Sequence, residues 1–237
     1  MERNLRTTHL IPLIGAILLG ALAFAHYWAL VVTPPDAMMG DVYRILFVHV
    51  PAAWMAMVFY TISVTGSLLF LFRKNNKWDR LAHSAAEIGL VLTGLALTLG
   101  SIWGRPTWGV WWTWDPRLTT TALLFIMYAG YIILYRLLED PDRRAKICAS
   151  VNLLIFLNVP IVYLSVKWWR SLHQVQSSPN TMAPEMVFTL RLCALSLFAV
   201  SLFFLFLRMR LAQRVAALEE RESMPPASLQ KPAEVKR

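Results

Sequence analysis

The sequence predicts an all-α integral membrane protein with six transmembrane helices. Of its 237 residues, 57% are hydrophobic and only 16% are charged, whereas soluble domains average about 45–50% and about 25%. The apolar residues fall into six long blocks, and the charged residues crowd into the gaps between those blocks. This composition argues against a soluble enzyme, a disulfide-stapled domain and a disordered chain.

Each apolar block is long enough to cross a bilayer. A span needs about 20 apolar residues to cross roughly 30 Å of hydrocarbon. Because lipid offers no hydrogen-bond partners to the backbone, such segments should be helices. The predicted spans are residues 10–32, 51–72, 81–103, 119–135, 147–166 and 186–207. They make up a membrane domain, residues 1–207, which is followed by a basic tail, residues 208–237.

Local signals refine several of these helices. The first block follows basic residues as a signal peptide does, but it stays apolar through Val32, far beyond a 7–15-residue signal core, so an uncleaved helix is expected. Pro51 suits the first turn of the second helix. Asn158 and Pro160 predict a kink in the fifth helix. From Arg208 the tail should form a short amphipathic helix followed by a disordered end.

The loop charges set the orientation. Seventeen of the 23 Lys and Arg residues fall at the two termini and in the second and fourth loops, and six fall in or near the other loops. Because basic residues accumulate in cytoplasmic loops, both termini should face the cytoplasm. The net charge of +9 therefore reflects membrane topology, and no nucleic-acid partner is expected.

The outer loops are rich in tryptophan, and most of it lies in one segment, WGRPTWGVWWTWDPRLT, residues 103–119. A helix over residues 107–115, started by Pro106 and ended by Pro116, would place one stackable face on the outer side. That face would comprise Trp108, Trp111, Trp112 and Asp115. Trp114 would point elsewhere and anchor in the headgroups. The alternative is an interfacial helix that simply lies on the bilayer.

Two histidines flank this tryptophan loop in the sequence. His49 stands before Pro51 at the outer entrance of the second helix, and His173 follows the fifth helix. Two neutral imidazoles can supply both axial positions of a haem iron. A porphyrin also needs aromatic faces and cations for its propionates. The outer loops offer candidate cations at Arg44, Arg105, Arg117, Lys167 and Arg170.

Other ionisable and reactive residues carry weaker signals. His83 and Glu87 are spaced i and i+4 in the third helix. Glu87 is expected to pair with His83 or Arg80, and the role of this contact is expected to be structural. Cys148 and Cys193 lie in separate apolar runs and should pack as small hydrophobes. The chain has no phosphate-binding loop and no CxxCH haem-attachment motif, so bound haem would be held non-covalently.

Three stretches resemble the WWD-domain haem-handling membrane proteins of cytochrome c biogenesis, and among them the cytochrome c maturation protein C (CcmC) family. They are YRILFVHVPAAW at 43–54, the tryptophan loop with its WDPRLT ending, and VKWWRSLHQ at 166–174. The length of the chain, its six spans and its inferred topology also agree with this family. The resemblance covers the chain up to its polar tail.

The resemblance implies a haem-transport protein of the bacterial inner membrane rather than an enzyme. It implies that His49 and His173 are the axial ligands of haem b, which is carried as transient cargo, and that the tryptophan loop cradles it at the periplasmic face. It also implies work beside the ABC transporter subunits CcmA and CcmB and the small membrane protein CcmD, and delivery to the periplasmic haem chaperone CcmE. The residues themselves leave two alternatives: a cofactor-free docking subunit of a transporter and a membrane haem redox protein.

Overall fold

The chain folds into a helical bundle that contains all six predicted spans. The computed structural model describes residues 2–173 and 182–223, with side chains from His9 to His173 and from Met182 to Arg221. Within these ranges, six segments are helical, long and apolar enough to cross a membrane. We call the end of the bundle that carries residues 103–119 the outer end, and the opposite end the inner end.

Seven α-helices make up these spans, because the fifth span is broken in two. They are α1 (Glu2–Tyr27), α2 (Leu46–Arg73), α3 (Asn76–Trp108), α4 (Pro116–Leu137), α5 (Pro141–Phe156), α6 (Asn158–Trp168) and α7 (Pro184–Ser223). A π-helical turn, Trp28–Val32, extends α1, and a 3-10 turn, Asp41–Ile45, leads into α2. The helix predicted from Arg208 is therefore a continuation of the last span, and the predicted disordered end lies outside the described residues.

The start of α2 differs from the prediction. The helix begins at Leu46, so Pro51 lies inside it rather than in its first turn, and His49 lies within the helix rather than before it. The 3-10 turn, whose last residues run directly into α2, supplies the early start. Because Pro51 has no N–H, α2 lacks the backbone hydrogen bond that this position would otherwise donate to the Phe47 carbonyl.

The predicted kink in the fifth span is confirmed as a break at Leu157, between α5 and α6. Pro160 has no N–H to donate to the carbonyl of Phe156, which interrupts the helical hydrogen-bond series at this point. Beside the break, Asn158 donates its side-chain amide to the Thr120 carbonyl on α4, at 2.8 Å. This hydrogen bond links the outer half of the fifth span to α4.

A buried polar residue, Asn152, ties the inner half of the fifth span to its neighbours. Its side-chain carbonyl accepts from the Tyr128 hydroxyl at 3.0 Å. Its amide group donates to Ser63 and Ser67 on α2, each at 2.8 Å. Nearby, Tyr60 and Tyr128 stack with their ring centroids 3.8 Å apart in the main hydrophobic core. These contacts fix α2, α4 and α5 to one another.

Replacing Asn152 by alanine is expected to lower the free energy of unfolding by about 2 kcal/mol. Three interhelical hydrogen bonds would be lost, and such bonds average about 0.6 kcal/mol each in membrane proteins. Unfolding in mixed micelles measures the change. Ser150→Ala is the matched control, because the Ser150 hydroxyl is exposed and donates only within its own helix. An equal loss in both variants would contradict the assignment.

The inner end carries the ionisable pair that the sequence predicted, with one partner that the sequence did not identify. His83 lies 3.5 Å from Glu87, so this contact is confirmed. Arg208 of α7 also pairs with Glu87, donating from Nε at 2.7 Å, whereas Arg80 makes no such bond. The His83 ring stacks on Tyr135 at 3.6 Å. These interactions hold α3, α4 and α7 together at the inner end. Both cysteines are buried, as predicted.

Candidate functional site

The outer end of the bundle contains a largely apolar cavity of about 430 Å³ between α2, α3, α4 and α6. This volume lies in the range of ligand and cofactor pockets, about 300–1,000 Å³. His49 and His173 both line the cavity, as do Trp108, Trp112 and Arg117. Five of the residues that the sequence nominated therefore meet around one space.

His49 is held in a defined orientation by α3. Its Nδ1 lies 2.9 Å from the Ala96 carbonyl oxygen. A carbonyl only accepts, so Nδ1 carries a proton, and in the neutral imidazole Nε2 then keeps a lone pair. The ring sits over Gly100, where an added Cβ would lie only 3.0 Å from His49 Cε1. This arrangement of an imidazole whose second nitrogen donates to a carbonyl is the usual one for a metal-binding histidine.

His173 lines the same cavity as His49, and the two rings lie near each other. Their centroids are 6.3 Å apart and the ring planes are inclined by 32°. Two metal–imidazole bonds of about 2 Å each, together with the ring radii, account for a separation of this size. Trp103 packs edge-on to His49 at 5.9 Å, and Trp108 packs edge-on to His173 at 6.2 Å. The geometry suits two axial ligands enclosed by indoles.

The predicted helix over residues 107–115 is wrong. Helix α3 runs through Pro106 to Trp108, and Gly109, at φ 79°, ends it by donating its N–H to the Arg105 carbonyl. Glycine adopts this left-handed conformation without strain, so the helix terminates there. Pro116 starts α4 instead of ending a loop helix. The intervening residues fold back over α3, where the Ser101 hydroxyl donates to the Trp111 carbonyl at 2.6 Å.

This loop conformation separates the four tryptophans into two groups. Trp108 and Trp112 line the cavity. Trp111 and Trp114 do not line it, and 58% and 81% of their surfaces are exposed. The single face of three indoles and a carboxylate expected from a helix therefore does not form. Instead, two indoles face inward and two face outward.

Asp115 connects the tryptophan loop to the segment that bears His173. Its Oδ1 accepts from the Arg117 N–H at 2.9 Å and caps α4, while its Oδ2 accepts from the Leu172 N–H at 2.7 Å. The Ser171 hydroxyl also bonds to this carboxylate, and Ser171 Oγ accepts from the His173 N–H at 3.0 Å. Asp115 therefore fixes the start of α4 through one backbone N–H and holds a second loop through another.

These hydrogen bonds keep Asp115 ionised. Burial raises the pKa of its carboxyl, but the hydrogen bonds from Ser171, Leu172 and Arg117 outweigh burial, and the pKa lies below its usual value. A depressed pKa means that the carboxylate stabilises the fold above the pKa of the unfolded chain. This contribution is lost only as the pH falls through the lower, folded value. The link between the two loops should therefore persist throughout the neutral range.

Two of the five cations nominated for anionic groups, Arg44 and Arg117, occupy different positions. Arg44 donates to the carbonyls of Ala29 and Thr33, at 2.8 and 2.7 Å, and to Asp41. It closes the π-helical turn and does not line the cavity. Arg117 lines the cavity and donates one N–H to the Tyr163 carbonyl at 3.2 Å. Its buried Nε has no hydrogen-bond partner within the described ranges, so Arg117 has donors to spare for an anion.

Sequence reasoning missed the part of α3 that supports His49. Ala96, Gly100 and Gly104 recur at four-residue intervals along one helix face, and all three line the cavity together with Trp103. Small residues at this spacing allow close approach between membrane helices. That periodic pattern was the available signal for a tightly packed wall.

Comparison with known proteins gives a consistent family. A family model described as heme exporter protein C matches residues 3–224. Heme exporter protein C of Rhodobacter capsulatus is 33% identical over 224 residues, which cover 91% of this chain and 92% of that protein.

Two further relatives align over a shorter stretch. Heme exporter protein C of Bradyrhizobium diazoefficiens is 40% identical over 171 residues, 72% of this chain. A putative cytochrome c biosynthesis ccmC-like mitochondrial protein of Marchantia polymorpha is 40% identical over 155 residues, 65% of this chain. The chain spans 65% of the length of each of these two proteins.

Proposed function

The chain belongs to the heme exporter protein C family, and on this premise we propose that it carries haem b non-covalently between His49 and His173. The observation that supports this most strongly is the pair of imidazoles that line the outer cavity with their ring centroids 6.3 Å apart. His49 is already oriented by the Ala96 carbonyl, so its Nε2 is the iron ligand.

The proposed cargo explains the composition of the cavity. Apolar side chains and the indoles of Trp108 and Trp112 cover a porphyrin face or edge, and each aromatic pair adds about 0.5–1.5 kcal/mol beyond burial. Arg117 pairs with a propionate through its remaining N–H donors. Arg44, also a nominated cation, does not contact the cargo. It supports the site indirectly, because its bonds to the carbonyls of Ala29 and Thr33 fix the start of the segment that leads to His49.

Ligation by two histidines favours a carrier over an enzyme, since it leaves no open position on the iron for oxygen or substrate. A haem redox protein that moves electrons across the bilayer would need a second histidine pair at another depth. Among the described side chains, His83 is engaged with Glu87 and Tyr135 at the inner end, and His26 bonds to the Leu22 carbonyl. Neither faces a second imidazole.

The proposed role places the outer end at the periplasmic face of a bacterial inner membrane. There the protein loads haem onto the chaperone CcmE, beside CcmA, CcmB and CcmD. The outward-facing indoles of Trp111 and Trp114 offer a contact surface for a partner, since exposed tryptophan is typical of interaction sites. This division assigns ligation to the inward residues and delivery to the outward ones.

Replacing both Trp111 and Trp114 by serine should impair haem delivery more than haem binding. Because neither indole lines the cavity, haem affinity should fall by less than about tenfold, whereas loss of interfacial tryptophans costs about 2 kcal/mol or more in docking. Haem transfer to purified CcmE, followed spectroscopically, measures delivery. Phe72→Ser, at an exposed aromatic residue of the inner end, serves as the control. Normal haem transfer to CcmE by the Trp111/Trp114 variant would contradict the delivery role.

Adding a side chain at Gly100 should weaken haem binding without unfolding the protein. The new Cβ of Gly100→Ala would lie 3.0 Å from His49 Cε1 and displace the ring from the Ala96 carbonyl. Loss of a group that orients a metal ligand typically costs about 10–100-fold in affinity. Haemin titration measures the affinity. Gly130→Ala is the control, because nothing lies within 4 Å of its added Cβ, and equal affinity in both variants would refute the prediction.

A further inference from the structure

The two halves of the fifth span differ in their hydrogen bonds to α2. Below the break, Asn152 of α5 bonds to α4 through Tyr128 and also to α2, where it donates to Ser63 and Ser67. Above the break, the hydrogen bonds that α6 makes to another helix go to α4: Asn158 donates to Thr120, and Arg117 donates to the Tyr163 carbonyl. In the outer half of the bundle, α6 therefore follows α4, and the cavity lies between α6 and α2.

This cavity reaches the lipid-facing surface of the bundle as well as its outer loops. Trp54 on α2 and Tyr163 on α6 both line it, yet 39% and 50% of their surfaces are exposed. Trp54 lies five residues beyond His49, and Tyr163 lies five residues before Trp168. At 1.5 Å per residue, Trp54 lies about 7.5 Å deeper in the bundle than His49, and Tyr163 lies about 7.5 Å deeper than Trp168. Both belong to segments apolar enough to span the membrane.

We propose that Trp54 and Tyr163 frame a lateral portal, through which haem enters the cavity from the outer leaflet of the bilayer. This inference rests on the proposed function and adds the route by which the cargo arrives. A porphyrin with carboxylates is a flat amphiphile that partitions into a leaflet with its anionic edge toward the headgroups. The portal matches that orientation, because its frame is aromatic and Arg117 lies on its α6 side, bonded to the backbone of Tyr163.

The test compares a block at the portal with a block at the outer loops. The two native cysteines, Cys148 and Cys193, are buried. Both are first replaced by alanine, so that the maleimide reacts only with the introduced cysteine. Trp54→Cys places a label at the portal, and Met39→Cys places one where the outer loop Thr33–Gly40 borders the cavity. Each protein is labelled with a bulky maleimide and reconstituted in liposomes. Haemin is supplied either from donor liposomes or from an aqueous albumin complex, and the rate of Soret-band development is recorded.

Labelling at Trp54→Cys should slow uptake from donor liposomes by about tenfold or more, a barrier increase of about 1.4 kcal/mol, while labelling at Met39→Cys should slow it far less. The final spectrum after long incubation should match that of the unlabelled protein, since the iron ligands are intact. A block at Met39 alone would overturn the portal and leave the proposed haem site standing. An unlabelled parent that develops no Soret band would remove the proposed function and this inference together.

Discussion

Replacing either His49 or His173 by alanine is expected to abolish six-coordinate, low-spin haem in this protein. Each variant retains one imidazole, so ferric haem should become five-coordinate or take a solvent ligand, and the Soret band should shift. Haem affinity should fall by at least about 100-fold, because removing a group that merely orients a ligand already costs about 10–100-fold. Absorption spectra and haemin titrations of the protein in nanodiscs measure both effects.

His26→Ala is the matched control for these two variants. His26 is also a partly buried histidine, but its Nδ1 bonds to the Leu22 carbonyl of its own helix and it does not line the outer cavity. The wild-type spectrum should survive in this variant. Unaltered low-spin spectra in both His49→Ala and His173→Ala would show that the iron is held elsewhere. The facing imidazoles would then serve only to pack the outer end.

Replacing Asp115 by alanine should produce the second largest effect, although its side chain is predicted to make no contact with iron. The change removes the cap of α4, at a typical cost of about 1 kcal/mol. It also deprives the Leu172 N–H and the Ser171 hydroxyl of their acceptor, and Ser171 holds the His173 N–H. His173 should lose its position, so the haem spectrum should move toward that of His173→Ala, with affinity reduced by about 10–100-fold.

Asp115→Asn separates the cap from the link between the loops. Asparagine keeps one accepting oxygen, so it can cap α4 or hold Leu172 but not both, and an intermediate spectrum is expected. Asp140→Ala is the control, because Asp140 caps α5 by accepting from the Arg143 N–H at 2.7 Å and lies at the inner end. A wild-type haem spectrum in Asp115→Ala would contradict the positioning role.

The architecture of this protein is largely readable from the sequence. Hydropathy alone locates all six spans, because the requirement to satisfy backbone hydrogen bonds in lipid leaves only helices of near-fixed length. The break near Pro160 is equally local, since it follows from one missing N–H. The tryptophan loop was harder: Pro106 and Pro116 suggested the limits of a short helix, but Gly109 is the residue that determines where α3 ends.

Contacts between distant segments could not be predicted in the same way. Asp115 meets Leu172 across 57 residues of sequence, and Arg208 meets Glu87 across 121. Local periodicity indicates which face of a helix is apolar, but it does not say which helix lies beside it. The same limit explains why Arg44 was nominated for a propionate. Its charge suits that role, but its guanidinium donates to the carbonyls of Ala29 and Thr33 instead.

Titration of haemin into the wild-type protein in nanodiscs, followed by absorption spectroscopy, tests the central claim most directly. The facing pair of His49 and His173 predicts saturable binding of one haem per chain, with a six-coordinate low-spin Soret band and no added ligand. A protein that stays spectrally blank, or that gives only the high-spin spectrum of loosely held haemin, would contradict a two-histidine haem site. The outer cavity would then be a packing or docking feature of a cofactor-free membrane subunit.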